Sequence, residues 1–269
     1  MRSSLLLVPA LCLAPLSLEA AVIFADNFNA ANTGNLDLSS QAGRRTGTDT
    51  AVQVRSSMIQ HGITGNALNF LNGGTGRVRF HNDPDNDVNT AGTWHDWAAA
   101  DGPAILAAGG LRVEFDWITG NTNSDNWVAF DIGHNSESAG EPAFRVNDGG
   151  TDLGILFRFS GLTEIFDNGT NLGAGGSATP VLGLRHMMID YGFTSFADGS
   201  PVTIKAYESG TNVYTGSFTW AGNSGQLYME LETLENTTID NLSISTVPEP
   251  SAAGFGLLCV AGIVSRRRR

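Results

Sequence analysis

What most constrains this chain is a period-two alternation of apolar and polar residues, recurring in short runs between residues 22 and 244. In Leu111-Arg112-Val113-Glu114-Phe115-Asp116-Trp117, the apolar Leu111, Val113, Phe115 and Trp117 share one face. Successive side chains of a strand point to opposite faces, so this spacing predicts half-buried strands. Comparable runs start at Val22, Ala67, Arg77, Trp127, Gly154, Leu162, Arg185, Val202, Asn212, Leu227 and Thr238. Glycine, asparagine and aspartate separate them, as turns require, and Ser160-Gly161 joins two of them as a hairpin. Helix candidates are few and short: Trp94 to Ala99, and Ala104 to Ala108 opened by Asp101-Gly102-Pro103. The glycine-rich Gly173-Ala174-Gly175-Gly176 leads into no helix and reads as a turn.

About a dozen such strands predict an all-β fold, a two-sheet antiparallel β-sandwich of jelly-roll type. The 226 residues from Ala21 to Thr246 are enough for one sizeable core, and no linker divides them. Neither cysteine lies in that span, since Cys12 precedes it and Cys259 follows it, so stability must come from burial. The arrangement resembles the concanavalin A-like, laminin-G-like jelly rolls. The resemblance rests on Asp26-x-Phe28, Val113-Glu114-Phe115-Asp116-Trp117, Val202-Thr203-Ile204 and Ile239-Asp240-Asn241-Leu242-Ser243-Ile244.

Both ends read as addresses. Arg2 precedes an apolar stretch from Leu5 to Leu18, interrupted by Pro9 and Pro15, and Ala20 offers a small residue for cleavage before Ala21. Residues 1–20 therefore read as a signal peptide. At the other end Pro248-Glu249-Pro250 leads into 14 uncharged residues, Ser251 to Val264, and then to Arg266–Arg269. As a helix that run reaches only about 21 Å, short for a hydrocarbon core of about 30 Å, which fits a transient membrane segment better than a permanent anchor. Arginines stay cytoplasmic by the positive-inside rule. In order and content, residues 247–269 resemble the PEP-CTERM sorting signal of Gram-negative bacteria. That resemblance implies processing by an exosortase, passage through the inner membrane, and delivery to the cell surface or extracellular matrix.

Between the addresses, the span holds 10 basic and 25 acidic residues, a net charge of −15, with Lys205 as its one lysine. Such a surface repels nucleic acid and excludes it as a partner. Three groups of residues could carry function. Asp83, Asp85 and Asp87 alternate in one loop, with Asn89 two residues on, and could wrap calcium as hard oxygen ligands. It is not an EF-hand, because Val88 stands where that loop needs glycine and Trp94 where it needs glutamate. Trp94 and Trp97, in Trp94-His95-Asp96-Trp97, are candidates for stacking on sugar rings, or for plugging the end of the sandwich.

Glu114 and Asp116 resemble part of the Glu-x-Asp-x-x-Glu strand of jelly-roll glycoside hydrolases, but Thr119 occupies the third carboxylate position. The five histidines, His61, His81, His95, His134 and His186, show no paired ligand spacing, which argues against a zinc enzyme. The expectation is a non-enzymatic surface or matrix protein, structural or binding extracellular polysaccharide, with no cofactor beyond possible calcium. A glycoside hydrolase or lyase of jelly-roll type is the alternative.

Overall fold

The alternating runs become seventeen strands among the described residues of the computed structural model. Described are residues 20–28, 45–49, 54–58, 63–64, 68–70, 78–80, 88–93, 95–119, 126–134, 146, 151–177, 183–221, 225–234 and 238–247. In chain order the first strands are β1 (Val22–Asp26), β2 (Arg45–Thr46), β3 (Val54–Met58), β4 (Ile63–Thr64), β5 (Leu68–Phe70), β6 (Val78–Phe80) and β7 (Val88–Thr93). After helix α1 (Trp97–Ala107) come β8 (Gly110–Thr119), β9 (Trp127–Gly133), β10 (Leu153–Arg158), β11 (Leu162–Asp167) and β12 (Thr170–Ser177). The last are β13 (Gly183–Phe193), β14 (Pro201–Glu208), β15 (Thr211–Thr219), β16 (Tyr228–Leu234) and β17 (Thr238–Thr246).

They form two antiparallel sheets, the β-sandwich that the alternation implies. One has nine strands in the order β15-β14-β13-β8-β17-β1-β2, with β6 also on β17 and β5 on β6. The other has eight, in the order β12-β11-β10-β9-β16-β7-β3-β4. Ala21–Val247 is one compact unit. The core lies between the inner faces, where Val113, Phe115, Trp117, Ile189 and Tyr191 meet Val128, Phe130, Ile132, Ile155 and Phe157, all at most 2% exposed. Phe115 stacks on Phe130 across the sheets, with ring centroids 6.5 Å apart. Aromatic rings dominate this core by the area each removes from water.

Two expectations are corrected. The two short helices are one, α1, running through Asp101-Gly102-Pro103. Asp96 caps it: one carboxylate oxygen accepts from the Ala98 and Ala99 amides at 3.1 and 3.2 Å, and from the Leu227 amide at 3.1 Å. This cap, together with Gly102 packed against the Phe196 ring, holds the helix across the position where Pro103 has no N–H to give. The glycine-rich 173–176 stretch is not a turn but part of strand β12, hydrogen-bonded to β11 at the end of its sheet. Gly173 takes a φ of +101° there, and the register shifts beside it, a distortion an edge strand tolerates. Asn89, grouped above with the acidic loop, lies in β7 and pairs with Thr233 and Met58.

Candidate functional site

The same alternation that buries one face of β8 and β13 leaves the other outside. On it the register sets Asp116 opposite His186, and Arg112 opposite Asp190. His186 is half exposed, at 49%. Its Nδ1 lies 2.9 Å from Asp116 Oδ1, and its Nε2 lies 3.6 Å from Glu114 Oε1. The other Asp116 oxygen accepts from the Asn241 side-chain amide at 2.8 Å.

Asn241 reaches Asp116 through an irregularity. The β17–β8 register shifts between Asp240 and Ser243, and Asn241 takes the left-handed φ of +50°. Such a bulge re-aims a side chain, here onto a carboxylate that would otherwise have only the histidine. Asp116 thus holds the imidazole in one orientation and leaves Nε2 toward solvent beside Glu114. Four residues along the two strands from Asp116 and His186, Arg112 and Asp190 pair bidentately, Nε to Oδ1 at 2.6 Å and a terminal nitrogen to Oδ2 at 2.9 Å. The hydrogen bond to Asp190 raises the guanidinium's pKa above its usual value, which locks the charge on. Leu184, two residues before His186 on the same face, is 54% exposed. The result is a fixed set of donors and acceptors beside an apolar side chain, on an open sheet face.

Glu114 and Asp116 therefore do share a face, and both belong to this cluster. They are tied to His186 and Asn241. Trp97 is not available for sugar: it is fully buried, edge-on to Phe24 at 6.1 Å. It plugs the sandwich because it starts α1 and its amide donates to the Leu227 carbonyl. Trp117, Trp127 and Trp220 are core residues. Asp83, Asp85, Asp87, Trp94, Pro248, Glu249 and Pro250 lie outside the described residues, as does the 251–264 segment. No helix among the described residues is long and apolar enough to cross a membrane.

A second acidic group occupies the outer face of the eight-stranded sheet. Asp131 on β9 sits opposite Glu230 on β16, with Glu232 two residues along and Gly154 on its other side. A Cβ at Gly154 would stand 2.5 Å from Asp131 Oδ1, so the glycine makes the room for that carboxyl. All three acids are at most 1% exposed. Burial, then the nearby Glu232 and Glu230 charges, push the Asp131 pKa well up. The Val146 amide donates to Glu232 at 2.8 Å, and Val146 packs with Trp127, Ala129, Leu156 and Phe166. This face is covered, so the group is a charge network of the interior and not an open site.

No family model matches the chain, and no curated protein does. Among solved structures it is similar to the potassium-bound carbohydrate recognition domain of Emp46p, at 9% identity, 81% of this chain, 97% of that one and a TM-score of 0.49. It is also similar to a mutant of the alginate lyase Aly36B in complex with alginate tetrasaccharide, at 13% identity, 85% and 99% coverage and a TM-score of 0.45. A third is the legume lectin-like domain from Entamoeba histolytica, at 8% identity, 64% and 84% coverage and a TM-score of 0.43.

Proposed function

We propose that this is an exported, non-enzymatic β-sandwich that binds neutral extracellular polysaccharide on the outer face of its nine-stranded sheet. The observation carrying this reading is the Asn241–Asp116–His186 chain, pre-set by the bulge and open to solvent. Sugar hydroxyls need donors and acceptors held in place before they arrive, and a sugar's C–H faces need an apolar neighbour such as Leu184. Neutral chains are favoured because the −15 charge of the span repels acidic ones. Affinity electrophoresis through neutral polysaccharides tests it. The wild type is expected to be retarded, and Asp116→Asn to lose about tenfold in affinity through the disturbed histidine. Binding to no polysaccharide would leave a structural role alone.

The second reading, a polysaccharide-cleaving enzyme, is favoured by one feature, the exposed His186 Nε2 with a carboxylate at Nδ1, an arrangement suited to proton transfer. New chain ends released from the bound polysaccharide, and lost in His186→Ala, would establish it over pure binding.

The address belongs to the same proposal. An exosortase would act at Pro248-Glu249-Pro250, with residues 251–269 held in the inner membrane before the protein reaches the surface or matrix. Deleting Pro248 to Pro250 is expected to leave the protein in the inner membrane with its tail attached. Mass spectrometry that finds the whole tail on surface-exposed wild type would overturn it.

A further inference from the structure

We propose that Asp49, His95 and Asp101 together hold a divalent cation of the zinc class. One imidazole nitrogen and two carboxylate oxygens converge there, all within 4.8 Å of one another. His95 Nε2 lies 2.8 Å from Asp49 Oδ2 and 3.9 Å from Asp101 Oδ2. Donors around one ion at about 2.0–2.2 Å stand roughly 3–4 Å apart, so small side-chain adjustments from the 2.8 and 3.9 Å separations would let the three atoms share one ion.

Each ligand is delivered by a separate structural device. Asp49 follows β2 and is tied back by its amide to the Ile23 carbonyl at 2.9 Å. Gly47 allows that approach: its φ is +115°, and a Cβ there would meet the Ile23 oxygen at 2.2 Å. His95 directly precedes the α1 cap and stands edge-on to Trp97 at 4.5 Å, which fixes the ring plane. Asp101 projects from α1, and its Oδ1 accepts from the Thr48 hydroxyl at 3.2 Å.

A separate observation points to a missing positive partner. Asp101 Oδ2 is buried and meets no hydrogen-bond donor, and it is the oxygen that faces His95. Two carboxylates share this space with one imidazole, and among the described residues no lysine or arginine pairs with either. A dication would supply the charge. The mixed nitrogen and oxygen set selects zinc-class ions over calcium, which takes six or more oxygens. Three protein ligands leave a fourth position for water or a ligand oxygen. In a span without cysteine, such an ion would clip the β1–β2 end to α1 in place of a disulfide.

The test uses the full-length chain, stripped with chelator and dialysed against zinc chloride, with calcium chloride in parallel. One equivalent of zinc by elemental analysis is expected. At a hundredfold excess over Kd, zinc should raise the melting temperature by about 5–10 °C. His95→Gln and Asp49→Asn, both at partly exposed positions, should each weaken zinc binding at least tenfold while the protein still melts cooperatively. Zinc binding unchanged in both variants, calcium taken here in preference to zinc, or no bound zinc at all would each overturn the assignment. None of these outcomes depends on whether polysaccharide binds.

Discussion

Arg185→Ala is expected to lower the melting temperature by roughly 10–15 °C. Arg185 sits at an inward position of β13, 1% exposed, where alternation calls for an apolar side chain. Its guanidinium lies over the Trp117 and Phe159 rings at 5.1 and 5.0 Å. It donates to the Phe159 carbonyl at 2.8 Å and pairs with Glu208 at 3.1 Å. Burial raises the Glu208 pKa and lowers that of Arg185, each opposed by the partner's charge. Alanine would remove the ring contacts and leave Glu208 buried without its counter-charge. Breaking one half of a buried pair costs about 3–5 kcal/mol, and each kcal/mol shifts a domain of this size by about 2–4 °C. A second variant separates charge from packing. Arg185→Met with Glu208→Gln should recover at least half of the loss in thermal melts. A double variant no better than the single one would mean that the ring contacts, not the buried charge, dominate.

Positions such as Arg185 mark where the sequence stops being readable. Alternation shows which residues of β8 face the core, because the strand is long and one face is consistently apolar. It therefore predicts the sandwich, since the hydrophobic effect acts on pattern and not on partners. It cannot show which strands pair, because that depends on contacts between residues far apart in sequence. The exposed cluster needed that pairing: Asp116, His186 and Asn241 come from three strands, and the bulge that turns Asn241 leaves only an ordinary Asp-Asn in the sequence. The cation cluster was hidden more deeply. Asp49 is 46 residues from His95, and a search for paired ligand spacing along the chain finds neither. One signal was present: Asp96, at the start of the Trp97 run, is a helix-capping residue type, and it fixes where His95 must stand. Strand β12 was hidden because an edge strand rich in glycine has almost no apolar face to read.

Asp131→Asn is expected to stabilise the protein at neutral pH, and the gain should grow as pH rises. Asp131 is fully buried, and burial together with the adjacent Glu232 and Glu230 holds its pKa in the folded state well above the ordinary 3.8. A carboxyl whose folded pKa is raised holds its proton more tightly folded than unfolded. Its favourable contribution is complete below the unfolded pKa and is lost as pH rises through the folded one. Wild type should therefore weaken progressively from about pH 4 upward, while asparagine, which cannot ionise, removes that slope. The new amide would also donate to the adjacent Glu230 and Glu232 carboxylates, where Asp131 adds a third acid. Relieving a buried charge of this kind is worth on the order of 1–3 kcal/mol, or about 3–10 °C at pH 7, shrinking toward zero near pH 4. Thermal melts of both proteins from pH 4 to pH 8 give the comparison. A variant less stable than wild type at pH 7 would mean that the Asp131 charge is itself compensated in the fold. Stabilisation with polysaccharide binding intact would place ligand recognition away from this covered face, as the open His186 site requires. Stabilisation with binding lost would instead assign the covered acids to the ligand, a stability cost kept for function.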